Sequence, residues 1–141
     1  MKPNPSRPIV LIEDNPMDVD LTRRAFEHNH LANSLIVIRD GEEALEYISG
    51  IKTNSTPPLL ILLDLKLPKV HGLEVLKAFR KNPEFMTTPV VILTSSAEDS
   101  DIKKAYKYGA NSYIVKPVNF DKFLEVAKNI ELYWVLLNTA G

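Results

Sequence analysis

The residues able to do chemistry in this chain stand directly behind short apolar runs. Ile9-Val10-Leu11-Ile12 ends in Glu13-Asp14, and Leu59-Leu60-Ile61-Leu62-Leu63 ends in Asp64. Val90-Val91-Ile92-Leu93 ends in Thr94-Ser95-Ser96, and Tyr113-Ile114-Val115 ends in Lys116-Pro117. Three carboxylates gathered bare would repel one another strongly, and an all-oxygen set of this kind suits Mg²⁺ or Mn²⁺. Lys116 adds a compact charge on a flexible arm, apt for holding a transferred phosphoryl group. Thr94 adds a hydroxyl donor, and Ser95 keeps the neighbouring position small enough for tetrahedral oxygens. Together these are the parts needed for in-line phosphoryl transfer to Asp64, a reaction driven mostly by positioning and charge neutralisation. A solvated loop carboxylate or a helix cap is the ordinary fate of any one such acid. Three of them and a lysine, each placed just after an apolar run, argue for a shared site.

The apolar runs say how these positions meet. A short apolar run bounded by loop signals reads as a buried parallel strand, and parallel strands bring their carboxyl ends to one edge. Strand one is expected over about residues 8–13, a second near 35–38 and the central one before Asp64. Asn15-Pro16 reads as an N-cap followed by proline at the first helical position, with Met17, Leu21, Ala25 and Phe26 giving that helix its apolar face. Asp40-Gly41 turns into a helix through Ala44, Leu45 and Ile48. Gly72-Leu73 opens another, with Leu73, Leu76 and Phe79 inward and a stop at Asn82-Pro83. A helix near 98–108 ends at Gly109, and the last occupies roughly 119–138. Alternating strands and helices predict an α/β protein with a doubly wound, five-stranded parallel sheet and five helices. Residues 1–7 read as a loose arm, 49–58 as a polar loop, and 8–141 as a single domain.

Bulk properties agree with that plan. A chain of 141 residues, 45% apolar and 25% charged, is one ordinary globular domain. A net charge of −1 with acids and bases interspersed gives no phosphate-backbone footprint. There is no cysteine, so no disulfide or thiolate metal site. No apolar stretch approaches a membrane span and no signal-peptide pattern opens the chain, so a cytoplasmic protein binding neither membrane nor nucleic acid is expected. His28, His30 and His71 are expected on exposed helix or loop, without metal-site spacing.

These residues resemble the receiver domain of two-component response regulators over essentially the whole chain. Glu13-Asp14 is similar to the acidic pair after strand one, and Asp64 to the phosphoacceptor, with Pro68 and Gly72 at the family's offsets. Thr94, Tyr113 and Lys116-Pro117 are similar to the hydroxyl, the aromatic switch residue and the lysine–proline pair. The intervals between Asp64, Thr94 and Lys116 also match. Val70-His71 departs from the family, where Asp or Asn often precedes the glycine. The resemblance implies a flavodoxin-like receiver fold, phosphorylation of Asp64 by a sensor histidine kinase, and a divalent ion held by Glu13, Asp14, Asp64 and the backbone carbonyl of Lys66. It also implies a switch made of Thr94 and Tyr113, and a cis bond before Pro117. The segment around Asp64 and the apolar C-terminal stretch resemble the small stand-alone regulators that partner phytochrome kinases.

The last helix carries more apolar surface than one core can bury. Phe120, Phe123, Leu124, Ala127, Ile130 and Trp134 make one inward stripe, and Tyr133, Leu136 and Leu137 leave the end apolar all round. A homodimer through these residues is expected, with docking on a kinase or downstream protein as the alternative. The chain is therefore expected to be a non-enzymatic signalling module without an attached output domain. Other functions fit less well. A hydrolase of the haloacid dehalogenase type would place a second Asp where Lys66 stands. A flavodoxin-like cofactor binder would need a Gly/Ser/Thr-rich loop after strand one. A phosphorylation-independent scaffold would have no use for a complete site.

Overall fold

The computed structural model describes residues 7–28, 34–50 and 57–116, together with positions 121 and 125; at 25 and 26 it describes the backbone only. Five strands form one parallel sheet: β1 (Ile9–Ile12), β2 (Leu35–Ile38), β3 (Leu60–Leu63), β4 (Val90–Thr94) and β5 (Ser112–Val115). Their spatial order is β2-β1-β3-β4-β5. Among the described residues there are four α-helices: α1 (Pro16–His28), α2 (Gly41–Gly50), α3 (Gly72–Lys81) and α4 (Asp99–Lys107). Asp121 and Glu125 are helical, within the span expected for the fifth helix. Residues 1–6 of the expected N-terminal arm, most of the 49–58 loop, Pro117 and the apolar segment with Tyr133, Leu136 and Leu137 lie outside the described residues.

Side chains of a strand alternate between the two faces of a sheet, and here both faces are covered, which makes the runs apolar throughout. Val10, Ile12, Ile61, Leu63, Val90 and Ile92 pack with Ala44 and Ile48 of α2, Leu76 and Phe79 of α3 and Ala105 of α4. Ile9, Leu11, Leu60, Leu62, Val91 and Leu93 form the second core with Val19 of α1. The sheet is thus doubly wound, as the alternation of runs predicts.

Local signals set the helix ends. Asn15 Oδ1 accepts the backbone N–H of Met17 at 2.9 Å, the N-cap that Asn15-Pro16 predicts. At α3 the cap is His71, whose Nδ1 accepts the N–H of Leu73 at 3.1 Å, so the residue that departs from the family pattern does a capping residue's work. The face of α1 differs from expectation. Met17 is 81% exposed, while Val19 and Thr22 are buried. Thr22 is tolerated there because its hydroxyl donates to the Asp18 carbonyl one turn earlier, at 2.9 Å.

Two backbone approaches fix the loops around the sheet. A Cβ on Gly72 would lie 2.3 Å from the Asp64 carbonyl oxygen and 2.5 Å from Leu65 Cα. The Gly72 N–H also donates to Leu65 O at 2.8 Å, so the turn after β3 is closed directly onto the start of α3. At the other edge, Gly109 has φ +103°, left-handed backbone that favours glycine, and the Arg80 side chain lies against its missing Cβ. The Arg80 guanidinium donates to the carbonyls of Gly109, Phe85 and Thr88 and to Asn111 Oδ1, all at 2.8–3.0 Å. It ties α3 to the entrances of β4 and β5.

Candidate functional site

In the parallel register Ile12 lies beside Leu63, so the next residues, Glu13 and Asp64, emerge side by side. The chain runs to opposite sides of the sheet from β1 and β3, and the crevice opened there is the usual ligand position in such sheets. Thr94 ends β4, and its carbonyl accepts the Lys116 N–H at 2.7 Å, which brings the residue after β5 to the same edge. The expected convergence is therefore met.

Glu13 and Asp64 are buried and Asp14 is exposed. Each offers a carboxylate oxygen, and these oxygens lie within 4.8 Å of one another. Such a set fits a hard divalent cation that keeps several waters. Asp64 Oδ1 accepts the Lys66 N–H at 3.0 Å, and Asp64 Oδ2 lies 3.3 Å from Lys116 Nζ. The ammonium also donates to Glu13 Oε1 and, at 2.8 Å, to Asp18 Oδ2. Burial pushes the Glu13 carboxyl up to about 7; the Asp64 charge adds to this, while Lys116 and the Asn15 N–H pull the other way. Burial alone would lower Lys116, but its hydrogen bonds to Asp18 and Glu13 and the Asp64 charge carry it above its ordinary value.

Thr94 is fully buried, and its hydroxyl makes a long contact of 3.5 Å with the Ser96 N–H. Tyr113, half-buried against the core, donates its hydroxyl to the Ser96 carbonyl at 2.8 Å. Ser96 in turn donates from its own hydroxyl to Asp101 Oδ2 at 2.5 Å, holding the loop after β4 to the first turn of α4. Burial raises the Tyr113 phenol, with smaller contributions from the nearby carboxylates of Asp101, Asp64 and Glu98. The hydrogen bond to Ser96 O opposes that rise.

Glu13, Asp14, Asp64 and Lys116 are thus brought together, with Thr94 and Tyr113 linked through Ser96. Lys66 is exposed, and its backbone N–H donates to Asp64 Oδ1. Sequence reasoning missed Asp18 and Asp101. Asp18 stands in the first turn of α1, where the helix dipole alone favours an acid, so its position carries no separate sequence signal.

A doubly wound sheet with an acidic crevice and a lysine at its carboxyl edge defines a phosphoryl-accepting α/β protein. The response regulator receiver domain family matches residues 9–128, and the chain belongs to that family of phosphoacceptor signalling modules. Among curated relatives it is similar to a probable methanogenesis regulatory protein, FilR2, of Methanothrix harundinacea, at 38% identity over 90% of this chain and 83% of the relative. It is also similar to response regulator Rcp1 of Synechocystis, at 36% identity over 94% of this chain and 91% of Rcp1. Among solved structures, the phosphorylated cyanobacterial phytochrome response regulator RcpA superposes with TM-score 0.79 at 36% identity, covering 92% of this chain and 94% of RcpA. The Mn²⁺-bound form of Rcp1 gives TM-score 0.77 at 35% identity, covering 91% and 94%. Among the described residues no helix is long and apolar enough to cross a membrane.

Proposed function

We propose that the chain takes a phosphoryl group from a sensor histidine kinase onto Asp64 and signals through a change of shape and association. The observation that carries this is Lys116 Nζ lying 3.3 Å from Asp64 Oδ2, beside three carboxylates able to share one cation. A carboxylate oxygen of Asp64 attacks phosphorus in line, the bond from phosphorus to the kinase imidazole nitrogen breaks, and its electron pair leaves with that nitrogen. Glu13, Asp14, Asp64 and the Lys66 carbonyl would hold Mg²⁺ or Mn²⁺, which supplies charge neutralisation at the phosphoryl oxygens. Lys116 and the Thr94 hydroxyl bind those oxygens, and the move of Thr94 releases the Ser96 loop that holds Tyr113.

Similarity to Rcp1 and to RcpA, itself a phytochrome response regulator, supports a phytochrome-type kinase as partner. The chain then acts in the cytoplasm, without turnover of other substrates and without nucleic acid or membrane as partner. The apolar sequence 132–137, expected to end the last helix, supports a two-fold homodimer through Tyr133, Leu136 and Leu137.

Incubation with Mg²⁺ and a small phosphodonor tests the acceptor. An acid-stable, base-labile adduct is expected on wild type and none on Asp64→Asn; an adduct that survives the substitution refutes the assignment. Sedimentation tests assembly: wild type is expected as a dimer at tens of micromolar and Tyr133→Ala/Leu136→Ala/Leu137→Ala as a monomer, since interface anchors each contribute ~2 kcal/mol or more.

A further inference from the structure

One carboxylate in the crevice has no task in phosphoryl capture as described. Asp18 stands in the first turn of α1 with Oδ2 2.8 Å from Lys116 Nζ, nearer than Asp64 Oδ2 at 3.3 Å. Yet the oxygens that could share a cation belong to Glu13, Asp14 and Asp64, without Asp18. Of the three acids on Lys116, it alone has no second use.

Its placement is built in from both sides. Glu13 Oε2 accepts the Asn15 N–H at 3.2 Å, and Asn15 Oδ1 accepts the N–H groups of Met17 and Asp18. The buried Thr22 hydroxyl holds the Asp18 carbonyl. Both side chains are largely shielded, at 28% exposure for Asp18 and 13% for Lys116, so their attraction is screened less than that of a surface pair. A charged acceptor at 2.8 Å is a strong hydrogen-bond partner for an ammonium. The bland alternative is an acid that favours the positive end of the helix dipole. That role would be blind to Lys116.

We propose that Asp18 is a positioning residue that holds the Lys116 ammonium on the α1 side of the crevice and competes for it with the phosphoryl group on Asp64. When Glu13 and Asp64 are neutralised within the cation cluster, their pull on the ammonium weakens while that of Asp18 persists. Asp18 then sets how completely Lys116 transfers to the phosphoryl oxygens, and so how long the phosphorylated state lasts. This rests on Asp64 being the acceptor.

The test uses the full chain in Mg²⁺ with fluoroberyllate as a phosphoryl mimic, comparing wild type, Asp18→Asn, Asp18→Glu, Lys116→Ala and Asp18→Asn/Lys116→Ala by calorimetry. Asp18→Asn is expected to bind the mimic about threefold to tenfold tighter, the range for losing one partly shielded charged partner. Mg²⁺ affinity measured alone should stay within about twofold, because Asp18 lies outside the cation cluster. Asp18→Glu should return towards wild type, and on Lys116→Ala the Asp18 substitution should have no effect. Unchanged or weaker binding by Asp18→Asn overturns the proposal, as does an equal gain without Lys116. A wild type that takes up no fluoroberyllate overturns the acceptor reading and this inference together, which separates the two failures. Should Asp18→Asn unfold at lower temperature than wild type, Asp18→Ser gives the same readout with a smaller side chain.

Discussion

Two half-buried cations sit at opposite edges of one sheet, and their partners are of different kinds. Arg80, at the amino edge, donates to three backbone carbonyls and one amide oxygen. Lys116, at the carboxyl edge, meets three carboxylates. Neutral carbonyls held by strands and turns cannot leave, and the planar fork of the guanidinium matches them in a fixed geometry. Carboxylates can exchange the ammonium among themselves or surrender it to a more highly charged group, and an ammonium on a flexible stem can follow. One edge is therefore an anchor and the other an exchange point. The chemistry of the partner, more than burial, decides which.

The contrast can be broken most severely at the anchor. Arg80→Ala leaves several carbonyls without donors and is expected to cost about 2–4 kcal/mol, read as a lower denaturant midpoint, with no recovery in Mg²⁺. At the other edge Lys116→Ala leaves three acids facing one another; in EDTA it should cost about 1–3 kcal/mol, and saturating Mg²⁺ should restore most of the loss. The sign with pH follows from Glu13. A carboxyl raised to about 7 in the folded state takes up protons on folding, so stability falls as pH rises from the ordinary carboxylate range through 7. Without Lys116 this fall should steepen, making the EDTA loss larger at pH 8 than at pH 6.

Gly109→Ala sharpens the same contrast by strain. At φ +103° with Arg80 Cγ 2.9 Å from the new Cβ, a loss of about 1–2 kcal/mol is expected, and thermal unfolding would show it. The smallest effect belongs to Tyr113→Phe, which removes one hydrogen bond to Ser96 O and should cost about 0.5–1.5 kcal/mol. Faster amide exchange confined to the loop after β4 is the expected signature; exchange that quickens equally around Arg80 would contradict separate roles for the two edges.

The exchange point was legible in the sequence and the anchor was not, for a physical reason. Glu13, Asp14, Asp64 and Lys116 each follow a run of buried strand, so one topological rule brings them together. Asp18 and Arg80 lie on helices, where an acid in the first turn or a base in the last is favoured by the dipole alone. Their reach to the ends of other strands depends on how each helix is rotated on the sheet. For α1 the hydropathy of single residues points the wrong way, since apolar Met17 is exposed and polar Thr22 is buried. Thr22 satisfies its hydroxyl within its own helix, which lets it sit buried. The parallel sheet wound on both faces followed from the pattern of runs, whereas the Ser96–Asp101 contact, five residues apart across a loop, had no periodic signal to reveal it.

The close seat of Gly72 beneath the Asp64 carbonyl gives the crevice unequal stiffness. On the β3 side there is no slack: backbone rests on backbone, and any displacement of the acceptor strand must carry α3 with it. On the β4 side the loop hangs on side-chain contacts, Ser96 to Asp101 and Tyr113 to Ser96, which water can replace one at a time. A load applied at Asp64 is resisted on the stiff side and yields on the compliant one. A movement leaving the site would therefore have a direction, toward α4 and β5, set by a residue that has no side chain at all.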